Sequence, residues 1–196
     1  MIIGLTGGIA AGKSTVRELL ATGCELRMFD ADSCVRRLLD TEPHIASEIR
    51  RMFGPAFLRA DDTPDRAQLR EAIYGNPDAR RRLESLIHPP VRAEWLALRD
   101  KCLAEGTDML ADIPLLYETG AESFFDSVVV VGCSASRQLD RLAARGIGRP
   151  MGEAMLASQW PIGQKVARAD FVIWNDGSLA ALGRQTELLA NQLFSA

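Results

Sequence analysis

Between Gly7 and Ser14 the chain reads GGIAAGKS, which satisfies the spacing G-x-x-x-x-G-K-[ST]. Those residue types suit one task, holding a chain of phosphates. Gly7 and Gly12 let the backbone fold back so that successive N–H groups point inward at phosphate oxygens, with further amides from Gly8, Ala10, Ala11 and Thr15. The positive end of the following helix adds its partial charge. Lys13 is placed to reach the β- and γ-phosphates, and the Ser14 hydroxyl to ligate Mg²⁺. The loop implies a nucleotide; it leaves open whether that nucleotide is hydrolysed, sensed, or made to give up a phosphoryl group.

Two further constellations bear on that choice. FDAD, at 29–32, puts Asp30 and Asp32 just past an apolar run. A carboxylate there can accept a hydrogen bond from an attacking hydroxyl and take its proton; the alternative is that either residue simply caps the helix that follows. Arg137, Arg141 and Arg145 recur at i, i+4 and i+8 and share one helical face, with Arg149 beyond a Gly-rich break. Guanidinium groups from a mobile segment could neutralise charge on a transferring group; the alternative is a solvated basic face. The chain has neither the N-K-x-D nor the D-x-x-G motif expected of a GTPase, and MLADI ends in the single acid Asp112 rather than a pair. A small-molecule kinase is left, beside a nucleotide-sensing protein without catalysis.

These residues need a scaffold. MIIGLT reads as a buried strand, STVRELLA as a helix stopped by Gly23, ELRMF as a second strand and DADSCVRRLLD as a second helix. From 42 to 106 the texture becomes helical: PHIASEIRRMFG, PDRAQLREAIYG, NPDARRRLESLI and PPVRAEWLALRDKCLAEG read as four consecutive helices with no intervening strand. Strands return at 108–113, 127–132 and 170–174, with a helical stretch broken at GIGRP between the last two and a closing helix over 178–193. The pattern predicts an α/β fold, a doubly wound five-stranded parallel sheet carrying a helical insertion. Ligands in such folds sit at the carboxyl ends of the strands. That end gathers Thr6 to Ser14, Asp30 to Asp32, Asp112 to Glu118, and Asn175.

Composition sets the bounds. With 196 residues, 47% hydrophobic and 25% charged, the chain can bury a substantial core. A net charge of −3 argues against a nucleic-acid partner. No apolar run approaches the ~20 residues that span a bilayer, so no membrane partner is expected. The opening MIIGLTGG leaves no room for a signal peptide, and a cytoplasmic protein is expected. Cys24, Cys34, Cys102 and Cys133 form no C-x-x-C pair, and Cys24 and Cys133 read as small core residues. Nothing in the sequence addresses the oligomeric state.

Taken as a set, LTGGIAAGKST, FDAD, LIHP, DIPLLYE, QLDRLAAR, SQWP and KVARADFVIWNDG resemble the dephospho-CoA kinase family, from Ile2 to about Gly177. The resemblance implies phosphorylation of the ribose 3′-hydroxyl of dephospho-CoA by Mg-ATP, giving CoA and ADP. It implies a P-loop nucleotide-binding core over 1–41, 107–135 and 169–196, a helical acceptor (dephospho-CoA) domain over 42–106 and a lid over 136–168. Asp32 matches the family's base, Thr6 a residue close to the catalytic centre, and Arg141 a lid group that contacts phosphate; Arg145, on the same helical face, is expected to join it at the nucleotide. His88 with Pro89 matches the acceptor-domain H-P, a helix-cap histidine being the alternative. Pro114, Leu115, Leu116 and Glu118 match a segment lining the acceptor side. Asp112 fits a position holding Mg²⁺ through water, beside Ser14; Asn175 and Gly177 match a loop near the adenine. The chain departs from the family pattern at Ala10 and Ala11, where Gly and Ser are common, at Trp174, which stands for an Asp, and in ARGIGRPMG, which replaces a more acidic lid turn. Another kinase, for a nucleoside monophosphate or a sugar acid, remains the rival reading.

Overall fold

Near the start of the chain six residues, all apolar or glycine except Thr6, form β1 (Ile2–Gly7), every one of them buried. A strand buried on both faces belongs in the middle of a parallel sheet, and β1 lies there. The sheet has five strands in the order β2-β3-β1-β4-β5, with β2 Arg27–Asp30, β3 Met109–Asp112, β4 Ser127–Gly132 and β5 Phe171–Trp174. All run parallel. The register sets Leu5 beside Asp112, and Gly7 beside Val131. The structure, a computed structural model, describes residues 1–194.

Because the chain leaves β1 toward β2 and later returns to its other side, the strand order reverses at β1. The phosphate loop leaves the carboxyl end of that strand, at the switch point where α/β sheets bind ligands. α1 (Lys13–Gly23) follows the loop and packs against the closing helix α9 (Leu179–Phe194). Val16 and Leu20 of α1 join Leu182, Leu189 and Leu193 of α9 over Ile3, Leu5, Val129 and Ile173. Each fully buried side chain of this size contributes about 1.5–3 kcal/mol, which anchors the start of α1 and the loop before it.

The chain divides into two compact units, one of Met1–Phe29 with Arg99–Ala196, the other of Asp30–Leu98. The second begins and ends earlier than the helical stretch read at 42–106. It holds α2 (Ala31–Thr41), α3 (Pro43–Phe53), a 3-10 turn at Pro55–Phe57, α4 (Arg66–Gly75) and most of α5 (Pro77–Glu105). Two details differ from the sequence expectation. The third and fourth helices of the insertion are one: α5 runs through Pro89 and Pro90, although each proline deletes a backbone donor. An isolated antiparallel bridge joins Leu58 to Pro64, where no extended pairing was expected. In the first unit the stretch broken at GIGRP forms α6 (Ala135–Ala144), α7 (Arg149–Ala157) and the short α8 (Ile162–Val166). Cys133 is fully buried, whereas Cys24, expected in the core, is only half-buried.

Candidate active site

The loop takes its shape from side chains that reach it from far along the chain. Gly12 stands at φ +97°, and a Cβ there would lie 2.3 Å from the Asn175 amide nitrogen. Asn175, buried just past β5, donates that amide to the Ala11 carbonyl at 2.8 Å. From α6, the Arg141 guanidinium donates through Nη1 to the carbonyls of Ala10 (3.1 Å) and Ala11 (3.2 Å) and through Nη2 to that of Asn175 (2.9 Å). One turn earlier, Gln138 donates to the Ile9 carbonyl at 2.8 Å and lies so close to Gly8 that a Cβ would sit 2.2 Å from its amide nitrogen. Three consecutive carbonyls are thus held from outside the loop, and peptide planes held that way leave the Ala10 and Gly12 N–H groups on the opposite, concave side, where an anion binds. The Gly8 and Ala11 N–H groups, also expected at the phosphates, are instead spent on the carbonyls of Val131 and Gly8, both at 3.2 Å.

Charge is arranged at the same strand ends. Asp112 closes β3 with its carboxylate 2% exposed, ion-paired through Oδ1 to Lys13 and through Oδ2 to Arg17 Nη1 at 3.2 Å. Ser14, in the first turn of α1, is exposed, and Thr15 beside it half-buried. Thr6 is fully buried and donates its hydroxyl to the Pro114 carbonyl at 3.0 Å. Pro114 and Leu115 are half-buried and Leu116 is fully buried. Glu118 is occupied internally: Oε1 accepts from the Trp160 backbone N–H at 2.8 Å and pairs with Lys165 at 2.9 Å. Arg145 and Arg137 are exposed, Arg145 at the C-terminal cap of α6. Among the described residues no three acidic, His or Cys side chains gather as a metal cage. One hydroxyl and one carboxylate nevertheless suit Mg²⁺ beside a nucleotide, because that ion keeps waters and takes its other oxygens from phosphate.

Trp174 has its own partners. Its indole donates to Asp176 at 3.0 Å, its backbone exchanges two hydrogen bonds with the Gln185 amide, and its ring covers Gly132. Asp176 also accepts from the Ser134 N–H at 2.8 Å, and that bond leads the causes that hold its carboxyl below the usual range.

In the second unit, Asp30 is the cap of α2, accepting from Ser33 N at 3.1 Å and Ser33 Oγ at 2.7 Å. Asp32, one residue into that helix, is exposed and takes no part in the cap. His88 is not a cap either, since α5 continues past it. Burial lowers its imidazole below the ordinary value, with Glu84 raising and Arg80 lowering it. Burial likewise raises the Tyr74 phenol, which feels Arg70, Arg80 and Asp32. Motif and spacing single out none of Tyr74, Arg80, Gln138, Arg17 and Lys165. The one available signal was that Gln138 and Lys165 fall inside the segments QLDRLAAR and KVARADFVIWNDG.

Comparison with known proteins agrees over nearly the whole chain. The family model described as Dephospho-CoA kinase matches residues 1–181. A dephospho-CoA kinase of Anaeromyxobacter dehalogenans is 44% identical, the alignment covering 97% of this chain and 91% of that one. A solved Thermus thermophilus structure superposes with a TM-score of 0.78 at 30% identity, over 98% of this chain and 97% of that one. The dephospho-CoA kinase from Campylobacter jejuni does so at 0.67 and 26%, covering 100% and 98%. A loop held open for phosphates, at the switch point of a parallel sheet, is thus part of a likeness that runs almost end to end: the chain belongs to the dephospho-CoA kinase family.

Proposed function

We propose that this enzyme transfers the γ-phosphoryl group of Mg-ATP to the ribose 3′-hydroxyl of dephospho-CoA, releasing CoA and ADP as the last step of coenzyme A biosynthesis, in the cytoplasm. The observation that supports it most is the grip of Arg141, Asn175 and Gln138 on three loop carbonyls, which sets the loop amides for a polyphosphate before one arrives. Preset donors need no reorganisation at the moment of reaction, and that is where most of the acceleration in phosphoryl transfer arises.

In this reading Lys13 exchanges Asp112 for the β- and γ-phosphates, and Arg17 keeps the carboxylate paired meanwhile. Ser14, with Asp112 behind it, would hold Mg²⁺, which neutralises charge on the bridging and transferring oxygens when bound. Asp32 accepts the proton of the 3′-hydroxyl, and its freedom from capping duty suits that role. Segment 136–168 acts as a lid, Arg145 adding its charge to the phosphates as Arg141 holds the loop. The helical stretch 42–106 receives the acceptor, with His88 among its contacts. Of the Pro114–Glu118 turn, Pro114 and Leu115 are offered to the acceptor, while Leu116 and Glu118 shape it from behind.

Coupled ADP release with Mg-ATP, comparing dephospho-CoA with AMP, CMP, shikimate and gluconate, tests the whole assignment. Turnover on dephospho-CoA alone is expected, with CoA as product; turnover on another acceptor instead would overturn it. Asp32→Asn should bind ATP within about twofold of the parent and lose about 10²–10⁴ in kcat. Unchanged turnover would remove Asp32 from the role of base.

A further inference from the structure

Lys165 lies within a segment shared with the family, yet no step above uses it. It sits on α8 with no exposed surface, the largest fully buried side chain among the described residues. Its ammonium donates to the Pro114 carbonyl at 2.9 Å and pairs with Glu118 Oε1 at 2.9 Å. The same Pro114 carbonyl accepts from the Thr6 hydroxyl at 3.0 Å. Glu118 is itself pinned by the Trp160 N–H, and its Oε2 is buried without a hydrogen-bond partner.

An ammonium with no solvent-accessible surface is a poor way to build a core, because well-packed apolar residues of the same volume serve stability as well or better. Its value must lie in direction and charge. Both donors on the Pro114 carbonyl fix that peptide plane. The Thr6 hydrogen is then committed to it, and the lone pairs of Thr6 Oγ1 are left aimed elsewhere at the end of β1. Burial pushes the Lys165 ammonium below its ordinary value, Glu118 opposes this, and the nearby Lys13 charge adds to the lowering. An arriving polyphosphate would meet Lys13 directly and feel the buried Lys165 charge only through space.

We propose that Lys165 is a positioning residue for phosphoryl transfer: from α8 it locks the Pro114–Glu118 turn, orients Thr6 through their shared carbonyl, and supports from behind the positive field of the phosphate loop. This rests on the reading of Thr6 and Lys13 as members of the reacting site.

Lys165→Met alone would strand Glu118 in the interior, so the test variant is Lys165→Met with Glu118→Gln, which keeps an acceptor for the Trp160 N–H. With native circular dichroism and an affinity for a non-hydrolysable ATP analogue within about threefold of the parent, its kcat is expected to fall at least about tenfold. A kcat within about twofold overturns the proposal. Thr6→Val, measured in parallel, separates the two readings. An intact kcat there removes Thr6 and this relay together; a lost kcat there with an intact kcat in the Lys165 variant removes only the relay. A second readout needs no variant and decides if the pair does not fold. The chain has three lysines, Lys13, Lys101 and Lys165, so side-chain-labelled lysine gives three resolvable ammonium signals. Adding the Mg-bound analogue should move those of Lys13 and Lys165 and leave Lys101 in place; a Lys165 signal that stays fixed while Lys13 moves overturns the proposal.

Discussion

Ala10 carries a φ of +55°, a left-handed conformation that costs a residue with a Cβ about 1–2 kcal/mol. Glycine, with no Cβ, would adopt it without that cost. Ala10→Gly should relieve the strain, partly offset by the extra freedom of glycine in the unfolded chain, for a net gain of about 0.5 kcal/mol in urea unfolding with nucleotide affinity unchanged. His88 gives a pH signature. Its imidazole is lowered by burial, so below about pH 6.5 the unfolded chain takes up a proton that the folded chain declines. The contribution is fully present above that pH and is lost as the pH falls through it toward the lower native value. The urea midpoint should therefore drop between pH 7 and 5, and His88→Asn should flatten that part of the slope. Residue types and spacing single out Lys13, Ser14 and Arg141 as candidates, because phosphate chemistry restricts what can stand there. They could not reveal what Arg141 holds. Helical spacing gives a face, and the partner on that face depends on how α6 lies against the loop.

At the scale of elements, the strands were legible because each is a short apolar run between turn signals, and all five lie close to where the pattern put them. The helices of the insertion were less so. Pro89-Pro90 reads locally as a boundary, and α5 nevertheless continues across it. The Ser85 and Leu86 carbonyls lose their helical donors to those two rings, a penalty that packing along the helix outweighs. Pro89→Ala would restore one donor, and because Pro is about 3 kcal/mol worse than Ala in a helix interior, the urea midpoint should rise by the equivalent of about 1–3 kcal/mol. A fall would mean that the ring itself packs more favourably than the missing bond costs. Lys165 was illegible for a related reason. α8 spans only Ile162–Val166, and one lysine in a short helix carries no pattern to distinguish a buried charge from a surface one.

At the scale of the molecule, the two compact units carry different halves of the proposed chemistry: Lys13, Ser14, Asp112 and Arg141 in one, Asp32 and His88 in the other. Hydrogen exchange should separate them. A saturating ATP analogue is expected to protect amides of 7–16 and 138–142 most strongly, and dephospho-CoA alone to protect amides within 30–98; the reverse pattern would reassign the substrates. Binding at one hundred times Kd should stabilise the chain by about 2.7 kcal/mol. The grip on the phosphate loop has a consequence for fragments. Gln138, Arg141 and Asn175 lie 129 to 164 residues along the chain from the carbonyls they hold. A synthetic peptide of the first twenty-odd residues would keep every letter of the motif and none of that grip. Its amides would sample all directions, and it should show no measurable preference for triphosphate over sulfate. Affinity should appear only when the distant segments are supplied, as in a split protein whose halves reassemble, so that nucleotide binding reports on completed folding.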